Sequence, residues 1–272
     1  MRTRLLALLA AFVTAPVRAD APPPEAVRID AGTYVTTRAF AYDDAPELHD
    51  LRATAPTFAV RGEVFPGAFF PPPPAAAIGL YFELSRSWPF ETTHADGERF
   101  DTVYGTRELG LVSRHRIRRQ ALLVRIGYGA HRFELERAKP SIPEAIPDVP
   151  SATYRFVRLH AESILRLAQA VRITPSFAYL PVFDAGGLES SAWFPRATSG
   201  GITAGLEGAY RAIDAVEIFV SFEYRRFFHD FHPEPGDRYD ARGAIDASYV
   251  TGIGARYLFH RKEDGRGPSN AK

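Results

Sequence analysis

From about Gly32 to Phe259 the chain alternates apolar and polar side chains with a period of two. That periodicity is the strongest limit on its fold, because successive side chains point to opposite faces only in a strand, while a helix repeats every 3.6 residues. In Val216–Phe228, one parity carries Val216, Ile218, Val220, Phe222 and Tyr224, and the other carries Glu217, Ser221, Glu223 and Arg225. The same alternation marks Ile202–Arg211, Val171–Phe183, Ser248–Phe259, Phe58–Phe65, Ile78–Ser85, Leu122–Phe133 and Arg155–Leu167. Weaker runs at Tyr34–Tyr42 and Leu111–Arg118 complete a set of ten; the facing of the second, with Arg114, Arg116, Arg118 and Arg119, is the least constrained.

The connections alternate as well. Short ones fall near 119–120, 168–170 and 213–215, together with a proline-bearing one over 66–76, and long polar ones cover 43–55, 87–110, 137–152, 184–199 and 230–245. Long antiparallel strands with tight turns on one side and long loops on the other predict an all-β, closed up-and-down antiparallel barrel of about ten strands, with eight or twelve as alternatives.

Either parity could face inward. A soluble barrel hides its apolar parity, whereas a membrane barrel turns it to lipid and keeps the polar parity in the lumen. Strands of ~9–13 residues suit a tilted membrane-crossing strand. Tyr128, Tyr154, Tyr179, Tyr210, Tyr224, Tyr249 and Tyr257 lie towards strand ends, where a membrane barrel places its aromatic girdles. Arg2 and Arg4, the apolar stretch Leu5–Val13 and Val17-Arg18-Ala19 read as a secretory signal peptide over 1–19, cleaved near Ala19. A proline-rich periplasmic linker is expected over 20–31, a transmembrane β-barrel over 32–259 and a polar C-terminal tail over 260–272. With no cysteine, the chain offers neither disulfides nor a lipid-anchored cysteine. Without its signal segment the chain is close to neutral, which gives no reason to expect a nucleic-acid partner.

Ser248-Tyr249-Val250-Thr251-Gly252-Ile253-Gly254-Ala255-Arg256-Tyr257-Leu258-Phe259 alternates to a terminal aromatic. On that strand and the pattern over 32–259, the chain resembles the small bacterial outer-membrane β-barrel proteins. The resemblance implies a monomer in the bacterial outer membrane, in contact with outer-membrane lipid and lipopolysaccharide. It also implies that the last strand is read by the outer-membrane assembly machinery, although here His260–Lys272 follows the aromatic.

In that orientation the inward parity collects a lumen charge network: Arg61, Glu63, Glu83, Arg125, Arg158, His160, Glu162, Arg166, Arg172, Glu207, Arg211, Glu217, Glu223, Arg225 and Arg256. Buried charges persist only when paired and hydrogen-bonded, so a layered set of salt bridges is expected. Gly127, Gly129, Gly252 and Gly254 share that face and leave room for long side chains. A barrel of about eight strands is filled by its own side chains, and open channels appear near sixteen. Arg132, Arg155 and Arg226 have lipid-facing parity but lie at the outer strand ends, where an arginine costs roughly 0–1 kcal/mol rather than the 2–4 of the midplane. They are candidates for contact with the outer leaflet.

No serine-hydrolase elbow, phosphate-binding glycine loop or His-Glu-x-x-His motif occurs. No catalytic residue, metal site or cofactor is therefore expected. His229, Asp230, His232, Glu234 and Asp237 form the richest polar cluster. Asp230 and His232 match the Asp–His pair of the omptin-type outer-membrane proteases, with Asp43 or Asp44 as the facing carboxylate; the same donors could hold a metal weakly. The function expected is a filled barrel with a structural or surface-binding role through its extracellular loops. A narrow solute or ion channel and an omptin-like surface protease are the alternatives.

Overall fold

The computed structural model describes residues 25–45, 48, 50–69, 77–93, 99–117, 120–137 and 149–260. The signal segment, the proline run Pro22-Pro23-Pro24 and the tail beyond His260 lie outside them. The strands are β1 (Glu25–Asp43), β2 (Leu51–Val64), β3 (Ile78–Ser87), β4 (Phe90–Thr93), β5 (Arg99–Ile117), β6 (Gln120–Arg137), β7 (Ala152–Arg166), β8 (Val171–Gly186), β9 (Thr198–Ile213), β10 (Val216–Asp230) and β11 (Gly243–His260). Sequence neighbours pair antiparallel except β3 and β4, which do not pair with each other; β1 pairs with β11, and β3 pairs with β5 to close the ring. Both β3 and β4 lie on β5. Arg86 opposes Gly105 and Phe90 opposes Thr102, so they form one strand interrupted by a one-residue bulge at Trp88-Pro89, where proline cannot donate to the ladder. The fold is a closed antiparallel barrel of ten staves, as the alternation predicts.

The register fixes its dimensions. Starting at Ala39, the paired residues run Ala247, Arg226, Ile202, Tyr179, Leu159, Ile126, Leu111, Leu80, Val64 and back to β1 at Val27, twelve residues from the start. With a rise of ~3.3 Å per residue and strands ~4.8 Å apart, that shear tilts the strands by about 40° and sets a backbone radius of about 10 Å. Inward side chains fill a ring of that size.

The faces separate cleanly. Thirty large apolar side chains are exposed among the described residues, nearly all on outward strand positions, including Val35, Leu80, Leu109, Ile126, Val220 and Ile253. Ordinary soluble monomers rarely expose a contiguous apolar patch above a few hundred Å², and this belt encircles the barrel. Tyr128, Tyr179, Tyr224 and Tyr249 ring it towards the long loops, and Tyr210, Tyr257 and Phe259 ring it towards the short turns. The fold is that of an outer-membrane β-barrel, with tight turns at one end and long loops at the other.

Several sequence readings change. The stretch assigned to a linker over 20–31 is strand from Glu25 onward, because Val27 and Ile29 face outward while Arg28 and Asp30 are buried. Much of the expected loop 87–110 is strand too. There the usual hydrophobic polarity inverts: Phe100 and Tyr104 point inward, while Asp101, Gly105 and Arg107 lie on the outer parity. Tyr154, expected in a girdle, is wholly buried in the lumen.

Candidate functional site

Three layers of charge fill the lumen. At the turn end, Arg256 binds Asp30 at 2.7 and 2.8 Å and Glu207 at 2.7 and 2.8 Å. Arg172 reaches Glu217 at 2.6 Å, and Arg211 reaches the same carboxylate at 3.6 Å. Arg28 meets Asp30 at 3.0 Å and Glu162 at 3.6 Å, Arg125 meets Glu162 at 2.7 Å and also binds Glu63, and Arg114 meets Glu25 at 3.7 Å. In the middle, Arg61 pairs with Glu83 at 3.3 Å, Arg158 with Glu108 at 3.2 Å and Glu223 at 3.6 Å, and Arg225 with Glu223 at 2.7 Å. Nearest the loops, Arg38 makes a bidentate pair with Asp246 at 2.7 and 2.8 Å.

Ten arginines (Arg28, Arg38, Arg61, Arg114, Arg125, Arg158, Arg172, Arg211, Arg225, Arg256) thus face ten carboxylates (Glu25, Asp30, Glu63, Glu83, Glu108, Glu162, Glu207, Glu217, Glu223, Asp246). Among these twenty described residues the two signs balance, and Arg116 shares the inward parity of β5 at the turn end. The structure brings together all the expected network residues except Arg166, which is exposed at the turn-end rim. Sequence reasoning missed Arg28, Asp30, Glu25, Arg38, Glu108, Arg114 and Asp246. The signal was present for Arg28 and Asp30 in Val27 and Ile29, whereas Glu108 sits in the inverted stretch of β5.

Aromatic rings separate the charge layers. Glycines on the facing strands receive them: a Cβ at Gly252 would overlap the Tyr34 ring, and one at Gly129 would come within 2.6 Å of Phe156. Tyr81 covers Gly127 and donates its hydroxyl to Glu108. A cavity of about 100 Å³ remains in the middle layer, bordered by Arg61, Glu83, Arg158, His160, Glu207 and Glu223. Arg125 donates to Nδ1 of His160 at 3.0 Å, so that imidazole carries its proton on Nε2, which meets no protein acceptor. A polar space of this size suits several ordered waters.

The loop end is capped. Phe40, Tyr104, Phe133, Tyr154, Phe156 and Phe227 from the strands pack with Leu188, Trp193, Phe194 and Phe231 from the loops in one apolar cluster. Phe194 stacks on Phe231 with centroids 3.7 Å apart, and Trp193 stacks on Tyr239 at 5.2 Å. Arg196 latches the two loops over 187–197 and 231–242: it ion-pairs with Asp237, reaches Glu234 at 3.3 Å and donates from Nε to the His232 carbonyl at 3.1 Å. The N–H of Glu234 at 2.8 Å, together with Arg196, holds the Asp237 carboxyl below the usual carboxylate range. At the turn end, Phe65, Tyr81, Val112, Leu123 and Ile164 form a second apolar plug.

Beneath the cap runs a hydrogen-bonded chain. Tyr154 donates its hydroxyl to Asp246 at 2.7 Å, so it accepts from Nε2 of His229 at 3.4 Å, and Nδ1 of His229 then accepts from Ser199 at 2.8 Å. The chain fixes the tautomer of His229 between the rings of Phe40 and Phe231. It lies within the apolar cap, so its evident work is to satisfy buried polar groups.

The Asp230–His232 pair has a different setting. His232 Nδ1 stands 3.6 Å from Asp230 on an open surface, with both side chains more than half exposed, and Asp44 is paired with Arg242 at 3.5 Å. Among the described residues no group of three or more His, Cys, Asp or Glu is arranged to hold a metal ion. Arg132, Arg155 and Arg226 all lie on the outer face. Arg132 pairs with Glu134, Arg155 reaches Asp184 at 3.2 Å, and Nε of Arg226 has no partner.

No family model and no curated protein matches the chain. Similar solved structures include the outer membrane protease OmpT from Escherichia coli, at 9% identity and a TM-score of 0.47, covering 89% of this chain and 99% of that one. The transport unit of the autotransporter AIDA-I from Escherichia coli has 7% identity and a TM-score of 0.46, covering 95% and 97%. An outer membrane channel from Pseudomonas putida F1 has 12% identity and a TM-score of 0.44, covering 90% and 100%.

Proposed function

We propose that this protein is a sealed barrel of the bacterial outer membrane, with a structural or surface-binding role carried by its capped outer loops. One observation carries the reading. Between the apolar cap of Phe194 and Phe231 and the plug of Phe65 and Leu123, the described lumen is filled by paired charges, leaving a central cavity of about 100 Å³. Opening a conducting path would require breaking buried ion pairs, each costing about 3–5 kcal/mol when one partner is left behind. This weighs against the narrow-channel alternative. The surface-protease alternative lacks support for a different reason: the Asp230–His232 pair, 3.6 Å apart, stands on the open surface, and the candidate Asp44 lies 3.5 Å from Arg242, both side chains largely exposed.

Planar-bilayer recording on the full chain tests the proposal. A sealed barrel inserts without discrete conductance steps. Reproducible steps from the purified protein would overturn the reading in favour of a conduit.

A further inference from the structure

Four outward arginines stand on four adjacent staves: Arg86 on β3, Arg107 on β5, Arg132 on β6 and Arg155 on β7. The register joins them. Arg86 opposes Gly105, two residues from Arg107; Arg107 opposes Ala130, two from Arg132; Arg132 opposes Thr153, two from Arg155. Each is thus the diagonal neighbour of the next, within reach of long side chains. A shear of twelve over ten strands shifts each row by about 1.2 residues per strand, and after that correction the four fall within ~8 Å of one height. That height matches the girdle of Tyr128, Tyr179, Tyr224 and Tyr249. Arg226, grouped with Arg132 and Arg155 by sequence, lies three staves from β7 and stands outside the ladder.

Charge on this face is unbalanced. Arg132 and Arg155 have Glu134 and Asp184, but Arg86 and Arg107 are exposed and have no ion pair among the described residues. Directly below, towards the membrane centre, the same staves present exposed Leu84, Leu109, Ile126 and Leu159. Three strand spacings make the ladder about 14 Å wide, enough for more than one phosphate. The surface therefore pairs a row of fork-shaped cations with an apolar wall several acyl chains across, and guanidinium binds phosphate bidentately.

The geometry points to a binding site for a phosphorylated, multiply acylated glycolipid of the outer leaflet, with phosphate on Arg86, Arg107, Arg132 and Arg155 and acyl chains on the apolar wall beneath. The site rests on the membrane reading above, and it deepens the surface-binding role by naming a lipid partner. In this position the ladder's excess charge is neutralised by ligand at the depth where a lipid-facing arginine is cheapest.

The test uses the full chain folded in zwitterionic detergent and titrated with hexa-acylated bisphosphoryl lipid A, its dephosphorylated form, or phosphatidylglycerol, with bound lipid counted by native mass spectrometry. The bisphosphoryl lipid A should bind at least tenfold more tightly than either of the others. Arg86→Gln with Arg107→Gln should lower that affinity tenfold or more, while Arg226→Gln should leave it unchanged. Equal binding of the dephosphorylated lipid or of phosphatidylglycerol overturns the site, as does an equal loss in Arg226→Gln. Heat-dependent gel mobility of each variant verifies its fold. If the doubly substituted chain fails to fold, Arg107→Gln alone, with a threefold or greater loss expected, carries the test and no loss overturns it. A native chain that fractionates as soluble and shows no gel shift refutes the membrane reading instead.

Discussion

Replacing Arg256 by Met should be among the most damaging single changes in the lumen. The guanidinium is wholly buried and makes four contacts of 2.7–2.8 Å, two to Asp30 and two to Glu207, with Glu217 a further 3.5 Å away. Once it is removed, Asp30 keeps Arg28 at 3.0 Å and Glu217 keeps Arg172 at 2.6 Å. Glu207 is left with Arg172 at 3.9 Å alone. One buried carboxylate therefore loses its only close partner, a change that costs about 3–5 kcal/mol. Met fills much of the vacated volume, so the loss reports charge more than cavity. Adding Glu207→Gln to Arg256→Met removes the stranded charge and should recover about 1–2 kcal/mol. Arg99→Gln is the control, because the Arg99–Glu91 pair at 3.4 Å is largely exposed and is worth about 0–1 kcal/mol. Reversible urea unfolding in lipid vesicles, followed by tryptophan emission and gel mobility, measures all three. A cost below about 1 kcal/mol for Arg256→Met, or no recovery in the double variant, would refute the assignment of Arg256 as the keystone of the turn-end layer.

Other outcomes follow from the same structure. Gly252→Ala puts a methyl into the Tyr34 ring and should cost about 1–3 kcal/mol in the same unfolding assay, and Tyr34→Ala should relieve most of that clash. The latch on Asp237 depends on pH in a defined direction: its carboxyl is held below the ordinary value of 3.8, so the contribution is complete above that value and is lost as pH falls through the lowered one. Pepsin should therefore spare the 231–242 loop near pH 4 and nick it only in stronger acid, whereas Arg196→Ala should be nicked already near pH 4. Phe194→Ala with Phe231→Ala opens the outer cap but leaves the paired charges beneath it, so bilayer recordings should still lack discrete steps. Unboiled protein from the membrane fraction should run faster on a gel than boiled protein, as a closed barrel resists detergent.

Much of the fold was legible because a strand's facing is a local property. Val220 and Ile253 point to lipid while Glu223 and Arg256 point inward, and adjacent residues in the chain suffice to say so. The reading weakened where local contrast weakened, at Arg28 and Asp30 behind a proline run and along β5, where aromatic residues line the lumen. The candidate site was only half legible for a different reason. Parity states that Arg38 and Asp246 are inward, but they are 208 positions apart and meet because β1 closes on β11. Likewise, no local pattern sets Arg86, Arg107, Arg132 and Arg155 side by side; that arrangement comes from register, and register comes from the shear at which ten twisted strands close. The sequence by itself determined which side chains face lipid and which face the lumen, since alternation along a strand needs no knowledge of its neighbours. Tertiary structure alone decided which charge meets which, because partnership in a closed sheet depends on how far each strand slides against the next.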